Sequence, residues 1–340
     1  MTMWGIHNDT LTHDLVDQGF ISIGWDAVNR DLRTIPGGRD GLKDALTVAH
    51  PDAKPRGIAN WAGTLARFRD EMQVGDVVVA PYKPDSTVNI GVITGEYSFH
   101  PEQPTHRHRR PVAWKKVGLS RTVFTQPALY EIGAFLTVFA IRKHPDEFLA
   151  ALELPDDSVE DAERRIEQVA DAAEDDSTDE PSAARIEQHT RDVVLERLHR
   201  GVSDRDFEEL TAALLRAMGY QARTTRYSGD GGIDVIAHRD PFGAEPPIIK
   251  VQCKHTTNTI GNPDVQRLVG ALVGDEFGLF VTLGSYSTDA AHTERHNRRL
   301  RLLGGREIVD LYLEHYDQLE PRWRGVVPLR RVLAVEADES

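Results

Sequence analysis

"GDGGIDVIAHRDPFGAEPPIIKVQCKHTT", residues 229–257, decides how the carboxy-terminal half is read. Apolar residues alternate at Ile233, Val235 and Ala237, and again at Ile249, Val251 and Cys253. That period of two marks a pair of half-buried strands. The Pro-Phe-Gly and Pro-Pro segments between them supply the reversal. Asp234 interrupts the first run just after a glycine turn. The second run carries Gln252 and Lys254 on one face, with Val251 and Cys253 on the other. An aspartate, an amide and a lysine thus meet on one edge of a hairpin, which is costly near a core unless the cluster binds something.

Working outward, residues 183–200 predict an amphipathic helix stopped by Gly201. "SDRDFEELTAALLRAMGY" follows as a second helix, with Ser203 or Asp204 as its N-cap and Phe207, Leu210, Leu214 and Leu215 on its apolar stripe. After the hairpin come a helix from Pro263 to Val273, a buried strand over 277–283, a helix over 287–303, a short strand over 307–311 and a terminal helix. This order describes a compact α/β domain with a mixed sheet flanked by helices.

Composition sets outer limits. The chain of 340 residues exceeds one average domain, so two are expected. No apolar stretch is long enough to span a bilayer, and the first residues lack a basic and apolar leader, so a cytoplasmic protein is expected. Cys253 is the sole cysteine, which excludes a disulfide framework and a cysteine-based zinc site. The net charge of −14 argues against a nucleic-acid partner until its distribution is considered. Residues 156–180 hold twelve acids against Arg164 and Arg165, a net of −10, leaving −4 for all the rest. That segment reads as a solvated acidic linker over 151–182, dividing a domain at 1–150 from one at 183–330. Two basic stretches lie outside it, "HRHRRPVAWKK" (106–116) and "RHNRRLRLLGGR" (295–306). Each is either a phosphate contact or a solvated face; in the first, Arg107, Arg109, Arg110 and Lys115 are the phosphate candidates.

The acids of the second half carry the chemistry. Glu208, near the start of its helix, and Asp234 would supply two hard oxygen ligands to Mg²⁺, with Mn²⁺ as the alternative and the Cys253 backbone carbonyl completing the shell. Lys254 can orient or deprotonate a metal-activated water and offset charge building on phosphorus. Gln252 orients water or ligand without adding charge, so the metal should be held weakly. Glu209 competes with Glu208 for the helix role. Asp230 and the glycines around it read as a tight turn, because the lysine and helix of a phosphate loop are missing. Cys253 reads as a small buried hydrophobe and His255 as a surface residue at a strand end.

Together "DFEELTAALLRAMGY", "SGDGGIDVIA", "VQCKH" and "GLFVTLGSYSTDAA" resemble the Mrr-type catalytic domain of the PD-(D/E)xK nuclease superfamily, over residues 200–312. The resemblance implies a restriction-endonuclease-like fold, with Glu208, Asp234, Gln252 and Lys254 matching its catalytic motif. Gln252 stands where many relatives have an acid.

The amino-terminal half contains many short strands with one or two helices, which suggests a small β-barrel. "VGDVVV" and "NIGVITGEY", with an early tryptophan, resemble PUA-like domains, including the EVE branch, over residues 1–143. Such domains bind RNA or modified DNA bases, and several hold a flipped base in an aromatic pocket. Trp4, Trp25 and Trp61 are the stacking candidates, with Asn8 and Tyr82 as polar readers. Burial in the core is the competing reading for each tryptophan. The expected protein is a type IV-like, modification-dependent DNA restriction endonuclease that hydrolyses phosphodiesters with Mg²⁺. It would act as a homodimer or a DNA-induced dimer against foreign DNA. The alternatives are a non-cleaving nucleic-acid binder and a repair nuclease for structured or damaged DNA.

Overall fold

A computed structural model describes residues 1–7, 14–82, 85–133, 136–153, 183–225, 232–241, 243 and 245–334. Asn8, most of the acidic segment and the turn containing Asp230 lie outside the described residues. The chain divides into two compact units, one built on Met1–Lys83 and Thr87–Arg185, the other on Ile186–Ala334. Among the described residues no helix is long and apolar enough to cross a membrane.

The first unit contains strands β1 (Met3–Ile6), β2 (Phe20–Ile23), β3 (Val77–Tyr82), β4 (Thr87–Ile93), β5 (Ser98–Phe99), β6 (His108–Ser120) and β7 (Val138–Ala140). Its helices are α1 (Asp14–Asp17), α2 (Gly38–Ala49), α3 (Pro55–Ala66), α4 (Gln126–Ile132) and α5 (Pro145–Glu153). The sheet order is β2-β6-β4-β3-β1-β7, with β5 paired to β6. Only β1 and β3 run parallel among these pairs. Strand β3 is buried throughout because both faces are covered: Val78 and Ala80 enter one cluster with Trp4 and Leu65, Val77 and Val79 another with Phe148. A strand covered on both sides reads as an unbroken apolar run. Gly5 is required where β1 meets β7, since a Cβ there would lie 2.1 Å from the Phe139 ring. Strands β2 and β7 end the order without pairing to each other, so the expected barrel is realised as a curled, open half-barrel.

The second unit contains β8 (Gln221–Thr224), β9 (Val235–His238), β10 (Ile249–Lys254), β11 (Phe277–Thr282) and β12 (Leu300–Leu303). They lie in the order β12-β11-β10-β9-β8. Strands β10, β11 and β12 are parallel, and β8, β9 and β10 antiparallel. The helices are α6 (Ala183–Gly201), α7 (Asp204–Ala217), α8 (Asn262–Gly270), α9 (Thr288–His296), α10 (Gly305–Glu314) and α11 (Pro321–Val326). One face of the sheet packs Val235, Val251 and Val281 against Phe207, Leu210, Leu198 and Tyr312. The other packs Phe280, Leu300 and Leu302 against Val265 and Leu268. Phe207 and each buried leucine of α7 contribute about 2 kcal/mol through burial alone. Ser203 is its N-cap, accepting from the Asp206 amide, which adds about 1 kcal/mol.

Two expected elements differ. The helix over 287–303 stops at His296, and its last residues form β12, where Leu300 and Leu302 both point into the core. Residues 307–311 belong to α10 rather than a strand, because Ile308, Val309 and Tyr312 bury one helical face.

Candidate functional site

Asp234 stands one residue before β9, where the pairing of β9 with β10 ends at Val235 and Val251. Its amide donates to the Val251 carbonyl at 2.8 Å, and its own carbonyl accepts from the Thr225 amide at 2.8 Å. With the backbone clamped, the carboxylate reaches across to β10 and Oδ2 accepts from the Cys253 amide at 2.7 Å. A charge-assisted bond of this kind is short and strong. It fixes Asp234 one residue from Lys254.

Cys253 turns toward the α7 side of the sheet and packs against that cluster. Burial pushes its thiol well above the ordinary range; a hydrogen bond with Thr211 works against this, and the carboxylates of Asp234 and Glu208 add to the rise. The two acids therefore both bear on the same short piece of β10. Glu208 Oε2 accepts from Arg205 Nη1 at 2.6 Å, and Arg205 also reaches the Thr224 hydroxyl and the Thr225 carbonyl. Glu208 is 16% exposed and Glu209 is 39%, with Arg205 3.9 Å away from the latter. Glu208 is the more enclosed of the two.

Gln252 and Lys254 occupy the opposite face of β10. The Oε1 of Gln252 is buried with no hydrogen-bond partner among the described residues. A buried acceptor without a donor invites a bound group. Gly232, at φ 83°, lies against it; a Cβ there would come within 3.3 Å of Gln252 Nε2. Lys254 Nζ donates to Asp264 Oδ2 at 3.0 Å, and the other oxygen of Asp264 takes Arg267. No three His, Cys, Asp or Glu side chains converge among the described residues. Two carboxylates with neutral oxygens suit a hard divalent cation that retains most of its waters.

Asp264 and Arg205 carry no signal in the sequence beyond being a helix acid and a helix base. His255 corrects an expectation. It is no surface residue: its side chain is 8% exposed. Its Nε2 donates to the Leu198 carbonyl at 3.0 Å, Nδ1 lies 3.1 Å from Asp204, and the ring sits 5.1 Å from Phe207. It joins α6 to α7 through the end of β10. Burial, with the His255 ring second, pushes neighbouring His199 down to about 4.

In the first unit the sequence candidates separate. Trp4 is 4% exposed and its Nε1 donates to Asp76 at 2.9 Å, so it is a core residue and not a pocket wall. Tyr82 is also buried. Trp25 and Trp61 come together, with ring centroids 6.3 Å apart at 60°, and both are half-buried. His50 lies edge-on to Trp61 at 5.2 Å. Its Nε2 is buried without a partner among the described residues.

Trp25 adopts φ 63°, in the left-handed region that non-glycine residues avoid. Asp26 holds this turn by accepting from the amides of His106 and Arg107, both at 3.1 Å. His106 is itself at φ 55°. Strain of this kind costs about 1–3 kcal/mol per residue and gathers where a ligand is handled.

The basic run serves the fold more than the expectation allowed. Arg110 is buried and donates to the carbonyls of Phe68, Arg69 and Gly95. Desolvation lowers its pKa, and no phosphate can reach it. Arg109 lies 4.0 Å over the Phe20 ring and donates to the His106 carbonyl; Arg107 donates to Gln103 and Asn29. Only Lys115 of the four candidates is exposed. Arg110→Met should therefore destabilise the fold by about 2–4 kcal/mol, since three carbonyls lose their donor. Lys115→Ala should leave thermal unfolding unchanged; equal melting of wild type and Arg110→Met would return Arg110 to the surface.

Residues 199–312 match the restriction endonuclease family of the Mrr catalytic type. Residues 1–132 match a domain of unknown function. A curated relative from Escherichia coli strain K12, the type IV methyl-directed restriction enzyme EcoKMrr, is 30% identical over 156 residues, 44% of this chain and 50% of the relative. The chain thus spans about half the length of that relative. The solved structure of the MspJI restriction endonuclease in complex with a 27-mer oligonucleotide aligns over 82% of this chain and 70% of its own, with TM-score 0.33 and 13% identity. The DNA modification-dependent restriction endonuclease AspBHI aligns over 81% and 76%, with TM-score 0.34 and 16% identity. The match to the restriction endonuclease family falls within the second unit.

Proposed function

We propose that this protein is a modification-dependent DNA endonuclease, in which the first unit reads a modified base and the second hydrolyses a phosphodiester. The observation that carries the reading is Asp234, fixed on the Cys253 amide beside Lys254 within a restriction endonuclease domain. The methyl-directed relative supports extending the reading to modified DNA.

Asp234, Glu208 and the Cys253 carbonyl would hold Mg²⁺ or Mn²⁺. The bound cation supplies an activated water and neutralises charge on the phosphorus centre. Lys254 orients that water and offsets the developing charge, while Gln252 offers its free Oε1 as an acceptor. Trp25 and Trp61 stack on an extruded base. Lys115 adds sequence-independent phosphate contact. Cutting both strands takes two such domains, hence a dimer on DNA.

The test is incubation of the full chain with Mg²⁺ and matched plasmids whose cytosines are unmodified, 5-methylated, 5-hydroxymethylated or glucosylated. Cleavage of at least one modified plasmid, with the unmodified one spared, is expected. Equal cutting of all four removes the modification dependence, and no cutting of any leaves a binder. On the preferred plasmid Glu208→Gln should be slower than Glu209→Gln by about a hundredfold, the scale of losing one electrostatic contact to the transition state. Equal mild effects would remove the helix carboxylate from the site.

A further inference from the structure

We propose that Asp264 is a positioning residue for Lys254, an inference that rests on the catalytic reading of the second unit. Lys254 ends β10 with its side chain 49% exposed, and a four-carbon stem in that setting has many rotamers. Its ammonium is nevertheless held on Asp264 Oδ2 at 3.0 Å. The holder is more rigid than what it holds. Asp264 is 19% exposed and sits in the first turn of α8 beside Pro263. That turn is pinned by Val265 and Leu268, both fully buried against Phe280 and Ile233 on the face of the sheet that carries Gln252 and Lys254.

The second oxygen of Asp264 is occupied by Arg267, one turn further along the same helix. With both oxygens engaged, the carboxylate cannot rotate away from Lys254 without breaking an ion pair. Each of its oxygens already accepts from a cationic side chain. Asp264 thus acts through Lys254 and touches neither the substrate nor the metal. An exposed ion pair is worth little to stability. Its effect should fall on the rate, where misplacement of a reacting group is costly.

The experiment uses the full chain and the plasmid it cuts best. Asp264→Asn should lower the single-turnover cleavage rate about tenfold to a hundredfold, the range expected for a displaced catalytic group. DNA affinity, measured with Ca²⁺ replacing Mg²⁺, and the melting temperature should both stay at wild-type values. Asp264→Glu, which keeps a carboxylate in reach, should recover part of the lost rate. Lys254→Met run alongside separates the two readings. If Lys254→Met cuts like wild type, the catalytic assignment falls and the role of Asp264 falls with it. If Lys254→Met is inactive while Asp264→Asn cuts like wild type, only the positioning role is overturned. Joint loss of rate, affinity and melting temperature in Asp264→Asn would also overturn it, since Asp264 would then be a fold residue.

Discussion

Asp234→Asn should leave a folded protein that no longer cuts DNA. The variant is chosen from the geometry. An asparagine keeps an amide oxygen that can still accept from the Cys253 amide, now 2.7 Å from Asp234 Oδ2. It removes the negative charge that a hard cation requires. Losing about 4 kcal/mol of transition-state stabilisation slows the reaction about a thousandfold. Asp234→Ala should be equally inactive but less stable, because the Cys253 amide then loses its acceptor at a cost of about 1–3 kcal/mol. Lys254→Ala should match the loss of cleavage without the loss of stability, since its side chain is half exposed and its ion pair is on the surface. Plasmid nicking gives the rate and thermal unfolding the stability. Near wild-type cutting by Asp234→Asn or Lys254→Ala would refute the assignment.

How much of this was legible in the sequence follows from where each residue finds its partner. Strands β9 and β10 carry their own alternation, and β11 is an apolar run bounded by turns, so local pattern sufficed. The N-cap of α7 was legible as Ser203 or Asp204 for the same reason. Strand β12 was not: four residues of an arginine-rich stretch fit a helix equally well, and the parallel pairing of Leu302 with Phe280 decides the matter. Arg110 was misread because its three acceptors are backbone carbonyls, two of them about forty positions away, and carbonyls have no residue identity. His255 was misread likewise, since one of its two partners is the Leu198 carbonyl. Of the tryptophans, Trp4 is set apart only by Asp76, which meets it across 72 positions. In the candidate nuclease site the motif residues were legible from the hairpin and the family pattern. Their ion-pair partners Arg205 and Asp264 were not, because a single charged residue on a helix resembles every solvated one.

Trp25→Ala and Trp61→Ala should each collapse the discrimination between modified and unmodified DNA. Stacking of a base on an aromatic ring is worth about 1–3 kcal/mol, so affinity for the preferred DNA should fall by about 5-fold to 150-fold. Affinity for unmodified DNA should hold, because phosphate contacts carry it and it weakens with salt. The two tryptophans differ in one respect that separates a pocket from a core. Trp25 is held at φ 63°, a conformation that glycine adopts freely. Trp25→Gly removes the ring and the strain together; the half-buried ring also packs on the core, so discrimination should be lost with a smaller fall in melting temperature than Trp4→Ala gives. Trp4→Ala does the reverse, costing about 3–5 kcal/mol of stability as a buried aromatic without specifically reading the base. The measurement is competition binding by the full chain carrying Asp234→Asn, which prevents cleavage, with melting followed on each variant. If Trp25→Gly and Trp61→Ala both retain the preference while folded, the half-exposed pair does not hold the base.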